Sequence, residues 1–140
     1  MSKNFFNFLI TFLSPLMILG QSAVVDTDCN TIKKGTFYFY PENAQKAFVI
    51  VRKGAMQTEI NLKTNDTSFW EVKWEKDCSF DVKFIRKNHP ISNDELSFYN
   101  SHTTVFKVLR ITKDYYVFKA GLDSISKANI LTDTMWLKPR

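Results

Sequence analysis

The side chains in this sequence with the most reactive chemistry are two cysteines and two histidines, Cys29, Cys78, His89 and His102. Together they could supply four zinc ligands, but structural zinc sites usually draw on close pairs such as C-x2–4-C, and this chain has none. A Cys–His pair could also act as nucleophile and base, provided that the thiol is free. Because the two cysteines can instead pair with each other, we predict no metal, no cofactor and no thiol catalysis.

Other catalytic signatures are missing as well. The chain contains neither a G-x-S-x-G nucleophile elbow nor an H-E-x-x-H zinc motif, and its four glycines form no phosphate-binding loop. The carboxylates Glu59, Glu71, Glu75 and Asp81 fall at outward positions of the strands predicted below, which is the usual place for solvated charge. We therefore expect a protein that is not an enzyme.

The elements that must position these residues are strands. The segment 69–84, FWEVKWEKDCSFDVKF, alternates apolar and charged residues and pauses at Lys76-Asp77. A period of two indicates a strand with one buried face, and two such runs around a polar gap predict an antiparallel hairpin. Similar patterns recur from Phe37 to Leu137 and predict about eight strands in series.

The links between these strands are short, which excludes parallel βαβ units. A capping box at Ser92-Asn93-Asp94-Glu95 predicts one short helix near residues 92–99. We predict an all-β antiparallel meander that curls into a barrel or half-barrel, in preference to a two-sheet sandwich.

Four aromatic residues of the hairpin could define a binding site: Trp70, Trp74, Phe80 and Phe84. In an eight-stranded barrel, inward aromatics either fill the interior or line the wall of a small ligand cavity. Both interpretations fit the sequence, and packing is the simpler one.

The sequence also predicts a local basic patch, formed by Lys83, Arg86 and Lys87. The formal net charge of the chain is +5. Such a patch could contact lipid headgroups or an anionic polysaccharide, or it could be the solvated end of a strand. The charge is not clustered as nucleic-acid binding requires, so we expect no nucleic-acid partner.

The beginning of the chain resembles an export signal. Lys3 precedes a mostly apolar run at 5–20, and small residues follow it, so we predict a signal peptide at 1–23 and a single β domain at 24–140. An uncleaved N-terminal anchor is the alternative. In a secreted or periplasmic domain, Cys29 and Cys78 could form a disulfide. Closing a loop of about 50 residues would stabilise the fold by about 4 kcal/mol.

Short motifs of this chain resemble a family of small exported proteins from the Bacteroidetes group. The matching motifs are Lys33-Lys34-Gly35-Thr36-Phe37, Arg52, Gln57-Thr58-Glu59, Trp74 and Asp77-Cys78-Ser79-Phe80. The resemblance covers residues 29–122 and implies export without an established activity. Some members carry the label DNA topoisomerase IV, which is incompatible with a chain this short that begins with an export signal. Lipid-anchored members need a suitable cysteine directly after the signal, and this chain lacks one.

These observations predict a secreted or periplasmic, non-catalytic β domain that serves as a structural or interaction module. The alternative is a carrier that holds a small apolar ligand inside a calycin-like barrel. A cell-envelope protein, a polysaccharide or a small apolar ligand would be the partner.

Overall fold

The computed structural model describes residues 28–41, 47–125 and 130–140. The predicted signal peptide at 1–23 lies outside the described residues. Within them, a 3₁₀ turn at Cys29–Ile32 precedes a series of strands. These are β1 (Gly35–Phe39), β2 (Phe48–Lys53), β3 (Met56–Asn61), β4 (Thr67–Trp74), β5 (Ser79–Lys87), β6 (Thr104–Ile111), β7 (Tyr115–Leu122) and β8 (Leu131–Trp136). The helix α1 (Asn93–Ser101) lies between β5 and β6.

The strands form a closed antiparallel barrel in which each strand pairs with the next one along the chain. Closure joins β1 to β8 through only two residue pairs, Tyr38 with Trp136 and Phe39 with Met135. The predicted all-β meander and its barrel form are thus confirmed. Because the order is strictly sequential, the 3₁₀ turn and the β4–β5 turn lie at one end of the barrel, and α1 lies at the other.

The hairpin predicted at 69–84 is the β4–β5 pair, with Trp74 opposite Phe80. Its turn places Asp77 and Cys78 in the left-handed region, each at φ 57°. Two consecutive residues with positive φ give the backbone twist that a tight hairpin turn needs. The polar pause in the sequence therefore marks a real reversal of the chain.

The predicted helix is also confirmed, because α1 begins directly after Ser92. The Ser92 hydroxyl accepts a hydrogen bond from the Glu95 backbone N–H at 3.1 Å, as in a capping box. Tyr99 attaches the helix to the barrel by stacking on Phe84, with ring centroids 4.4 Å apart, and by an edge contact with Trp70. Among the described residues, no helix is long and apolar enough to span a membrane.

The closed end of the barrel is held by the disulfide between Cys29 and Cys78, whose Cα atoms lie 5.6 Å apart. This confirms the predicted pairing. The bond ties the 3₁₀ turn to the start of β5, and it holds Ile32, which is fully buried, beneath the barrel interior. The 3₁₀ turn acts as a plug for this end.

Candidate ligand-binding cavity

The barrel interior contains a cavity of about 270 Å³ that is open to one side. It extends from the plugged end toward the end that carries α1. Its lining residues come from β1, β2, β3, β6, β7 and β8: Phe39, Phe48, Ile50, Arg52, Gln57, Glu59, Thr104, Phe106, Phe118, Ala120, Leu131 and Met135. No lining residue comes from β4 or β5.

The interior thus has two sides. On the packed side, against β4 and β5, inward side chains fill the space: Trp70, Val72, Trp74, Phe80, Val82 and Phe84. On the hollow side, between β1–β3 and β6–β8, phenyl rings line the cavity instead, and they include Phe39, Phe48 and Phe118. The small residues Thr104 and Ala120 leave space between these rings.

A chain of polar side chains forms the floor of the hollow side. Arg52 and Gln57 are each only 2% exposed, although both are polar. Arg52 Nε donates to Gln57 Oε1 at 2.6 Å, and Gln57 Nε2 donates to Glu59 Oε1 at 2.8 Å. Arg52 Nη1 also donates to the backbone oxygen of Ile32 at 3.1 Å, so the guanidinium fastens the plug to the barrel wall.

Aromatic rings surround the buried guanidinium of Arg52. Its Cζ atom lies 4.7 Å from the ring centroid of Phe80, 5.0 Å from that of Phe37 and 5.8 Å from that of Tyr116. Cation–π attraction is strongest where water is excluded. The rings therefore replace part of the hydration that Arg52 loses on burial.

Glu59 lies at the edge of this floor; the residue as a whole is partly exposed, but its carboxyl group is buried. Burial raises the pKa of Glu59 above its ordinary value of 4.5, because desolvation penalises the charged form. The hydrogen bond from Gln57, the positive charge of Arg52 and the Trp70 indole act in the opposite direction. The cavity thus contains a carboxyl group whose pKa depends on its burial and on the polar and charged groups next to it.

The outward position expected for Glu59 is therefore wrong. In β3, Ile60 and Thr58 share one face while Gln57 and Glu59 share the other, and hydropathy alone points Ile60 inward. The pairing with β2 decides the face: Gln57 lies opposite Arg52, and Glu59 lies opposite the buried Ile50. Polar residues consequently line the interior here. Arg52 and Gln57 lie opposite each other across a short hairpin. This pairing is the sequence signal that could have indicated the polar residues of the interior.

The four aromatic candidates of the hairpin all lie on the packed side. Phe80 and Phe84 are buried, whereas Trp70 and Trp74 are half-buried and pack against the core. None of the four lines the cavity. Trp74 instead borders an outer depression beside the disulfide, which is lined mostly by polar residues of the 3₁₀ turn and the β4–β5 turn.

The three residues of the predicted basic patch lie near each other on β5 and have different neighbours. Lys87 forms a salt bridge with Glu95 of α1 at 2.5 Å. The Arg86 guanidinium lies 3.8 Å from the ring centroid of Phe69, and Lys83 is exposed opposite Glu71 in β4. The positive charge is thus partly neutralised by neighbouring carboxylates.

The two histidines also have acidic neighbours. His89 Nε2 lies 3.5 Å from Asp66, and His102 Nδ1 lies 2.6 Å from Asp123. The pKa of Asp123 is lowered, mainly by the hydrogen bond from the backbone N–H of Thr103 and to a smaller extent by the hydrogen bond with the His102 side chain. Within ranges 28–41, 47–125 and 130–140, no group of three or more histidine, cysteine or acidic side chains is arranged to hold a metal ion.

Comparison of the chain with protein-family models, with curated proteins and with solved structures finds no match.

Proposed function

We propose that this barrel is a carrier that binds a small ligand in its internal cavity. The observation that supports the proposal is the hollow side itself. Protein interiors normally pack to the density of organic crystals. Here a cavity of about 270 Å³ persists inside the barrel, although the packed side is filled with rings.

The composition of the cavity resembles that of binding pockets in general. Such pockets are mostly apolar, with a few placed polar groups that fix orientation. Phenyl rings provide the apolar surface, and Gln57 and Glu59 provide the polar groups. An engineered cavity of about 150 Å³ is enough to hold benzene, so this one suits a ring with a short substituent.

The proposal is for binding rather than catalysis. Glu59 and Arg52 are the charged residues among those that line the cavity, and Arg52 already donates to Gln57 and Ile32. The disulfide between Cys29 and Cys78 supports a location in an oxidising compartment, secreted or periplasmic.

The role of a structural or interaction module stays a prediction. The exposed apolar side chains of Leu96 and Phe98 on α1, 40% and 46% exposed, are the features that would serve it. The cavity carries the stronger argument, because it combines a concave, mostly apolar volume with directed polar groups.

Native mass spectrometry of protein purified from its own host tests the carrier proposal. Wild-type protein should carry an additional small mass that is released on denaturation. Ala120→Leu adds three carbon atoms to the cavity wall and should abolish the additional mass, because the volume is taken up. Ala55→Leu makes the same change at an exposed position and should retain it.

Absence of a bound mass in the wild-type protein would argue against a carrier. An equal bound mass in wild type and Ala120→Leu would place the ligand elsewhere on the protein, and would also contradict the proposal.

A further inference from the structure

The hydrogen bonds on the cavity floor run in one direction. An arginine side chain has donors and no acceptor, so Gln57 must turn its oxygen toward Arg52 and its NH₂ group toward Glu59. Each residue donates to the next, and the series ends at a carboxylate. An ionised carboxylate only accepts hydrogen bonds, and its two oxygens have about four acceptor sites. When Glu59 is ionised, a state that a neighbouring positive charge favours, the group that meets a ligand is an acceptor.

A ligand that enters from the α1 end reaches Glu59 before it reaches Arg52. In the β2–β3 register, the Ile50–Glu59 pair lies closer to that end than the Arg52–Gln57 pair. Both residues line the cavity, but Arg52 is nearly completely buried among rings, whereas Glu59 is partly exposed. The charge that a ligand contacts first is therefore negative.

The cavity walls favour a positive charge as well. Phe39, Phe48, Phe106 and Phe118 present aromatic rings to the same space as the Glu59 carboxyl group. Aromatic faces attract cations, and the attraction grows when the cation is desolvated. A carboxylate ligand would meet both the rings and Glu59 unfavourably.

We propose that the ligand is a small primary amine, bound as its ammonium ion, whose nitrogen donates to Glu59 while its apolar body lies among the phenyl rings. The inference rests on the proposed carrier function and names the ligand class for the same cavity. The Arg52–Gln57 pair holds Glu59 in position, and Glu59 sets the specificity.

Isothermal titration calorimetry with three probes of similar shape tests this inference. The probes are 2-phenylethylamine, 2-phenylethanol and phenylacetate, which present an ammonium, a hydroxyl and a carboxylate on the same phenyl body. The amine should bind at least roughly tenfold more tightly than the alcohol, because charge-assisted hydrogen bonds are the stronger ones. Phenylacetate should bind more weakly than both.

Glu59→Gln keeps the shape of the side chain and removes its charge. In this variant the preference for the amine over the alcohol should disappear, while the affinity for the alcohol stays within about threefold. Glu71→Gln makes the same change at an exposed position on the outer face and should leave all three affinities unchanged. Thermal unfolding of each variant verifies that it is folded.

Two results would overturn the amine inference and leave the carrier proposal standing. One is binding of the alcohol as tightly as the amine. The other is tightest binding by phenylacetate, which would make Arg52 the anchor. Failure of all three probes to bind would also overturn the inference, and the carrier proposal would then depend on the mass of the host ligand.

Discussion

The two sides of the barrel interior share one backbone architecture and differ in what fills them. On the packed side, β4 and β5 direct tryptophan and phenylalanine side chains inward, and these rings contact each other at centroid distances such as 4.4 Å for Trp74 and Phe80. On the hollow side, Ala120 and Thr104 are too small to fill the same width. Side-chain volume, and not strand number, therefore decides where a barrel of this size is open.

The largest difference between the two sides should appear when a ring is removed. Phe80→Ala should destabilise the fold by about 4 kcal/mol, because Phe80 is fully buried between Trp74 and Phe106. Phe48→Ala, in the wall of the existing cavity, should cost about half as much, since Phe48 is only half-buried. Urea denaturation gives both values, and equal losses would contradict the distinction between the sides.

Enlarging a side chain, instead of removing a ring, should give a smaller difference in stability between the two sides. Val82→Leu on the packed side should destabilise the fold by about 1–2 kcal/mol, because no space is left for the extra methylene group. Ala120→Leu on the hollow side should change the free energy of unfolding by less than about 0.5 kcal/mol, since the cavity accommodates it. A larger loss for Ala120→Leu than for Val82→Leu would show that the cavity wall does not tolerate added volume.

The smallest effect concerns the polar floor and depends on pH. Because burial raises the pKa of folded Glu59 above 4.5, the folded state retains a proton that the unfolded state has lost. The stabilising contribution of Glu59 to the free energy of unfolding is therefore fully present below pH 4.5, and it is lost as the pH rises through the pKa of folded Glu59. Arg52 of β2 and Tyr116 of β7 are the ionisable groups whose charges couple to Glu59.

Glu59→Gln removes this titration. The difference in unfolding free energy between the variant and the wild type should therefore shift in favour of the variant as the pH rises above 4.5, and then level off. Denaturation curves at a series of pH values measure it. A constant difference would mean that Glu59 titrates alike in the folded and unfolded states.

The packed side could be predicted from the sequence, whereas the hollow side could not. The alternation in 69–84 gives the β4–β5 hairpin, and the Ser92 capping box gives α1, because both signals are local. The disulfide follows from an even number of cysteines. A cavity depends instead on the summed volume of side chains from six strands, and no local pattern reports that sum.

The polar floor was missed for a related reason. β3 has Met56 and Ile60 on one face and only polar residues on the other, so its alternation predicts that the Ile60 face is inward, whereas Gln57 and Glu59 line the interior. Arg52, Gln57 and Glu59 do belong to the short motifs that the sequence analysis singled out. Those motifs gave the residues no role, and only the β2–β3 register places them inside the barrel.

The closure of the barrel through two residue pairs between β1 and β8 has a consequence for the order of folding. All other strand pairings in the described part of the chain join neighbours in sequence and can form early, while the chain is still being synthesised. The β1–β8 junction joins the first strand to the last, and Phe39 and Met135 on either side of it both line the cavity. The cavity therefore cannot exist on a nascent chain, and the proposed ligand could be bound only once β8 has emerged and docked.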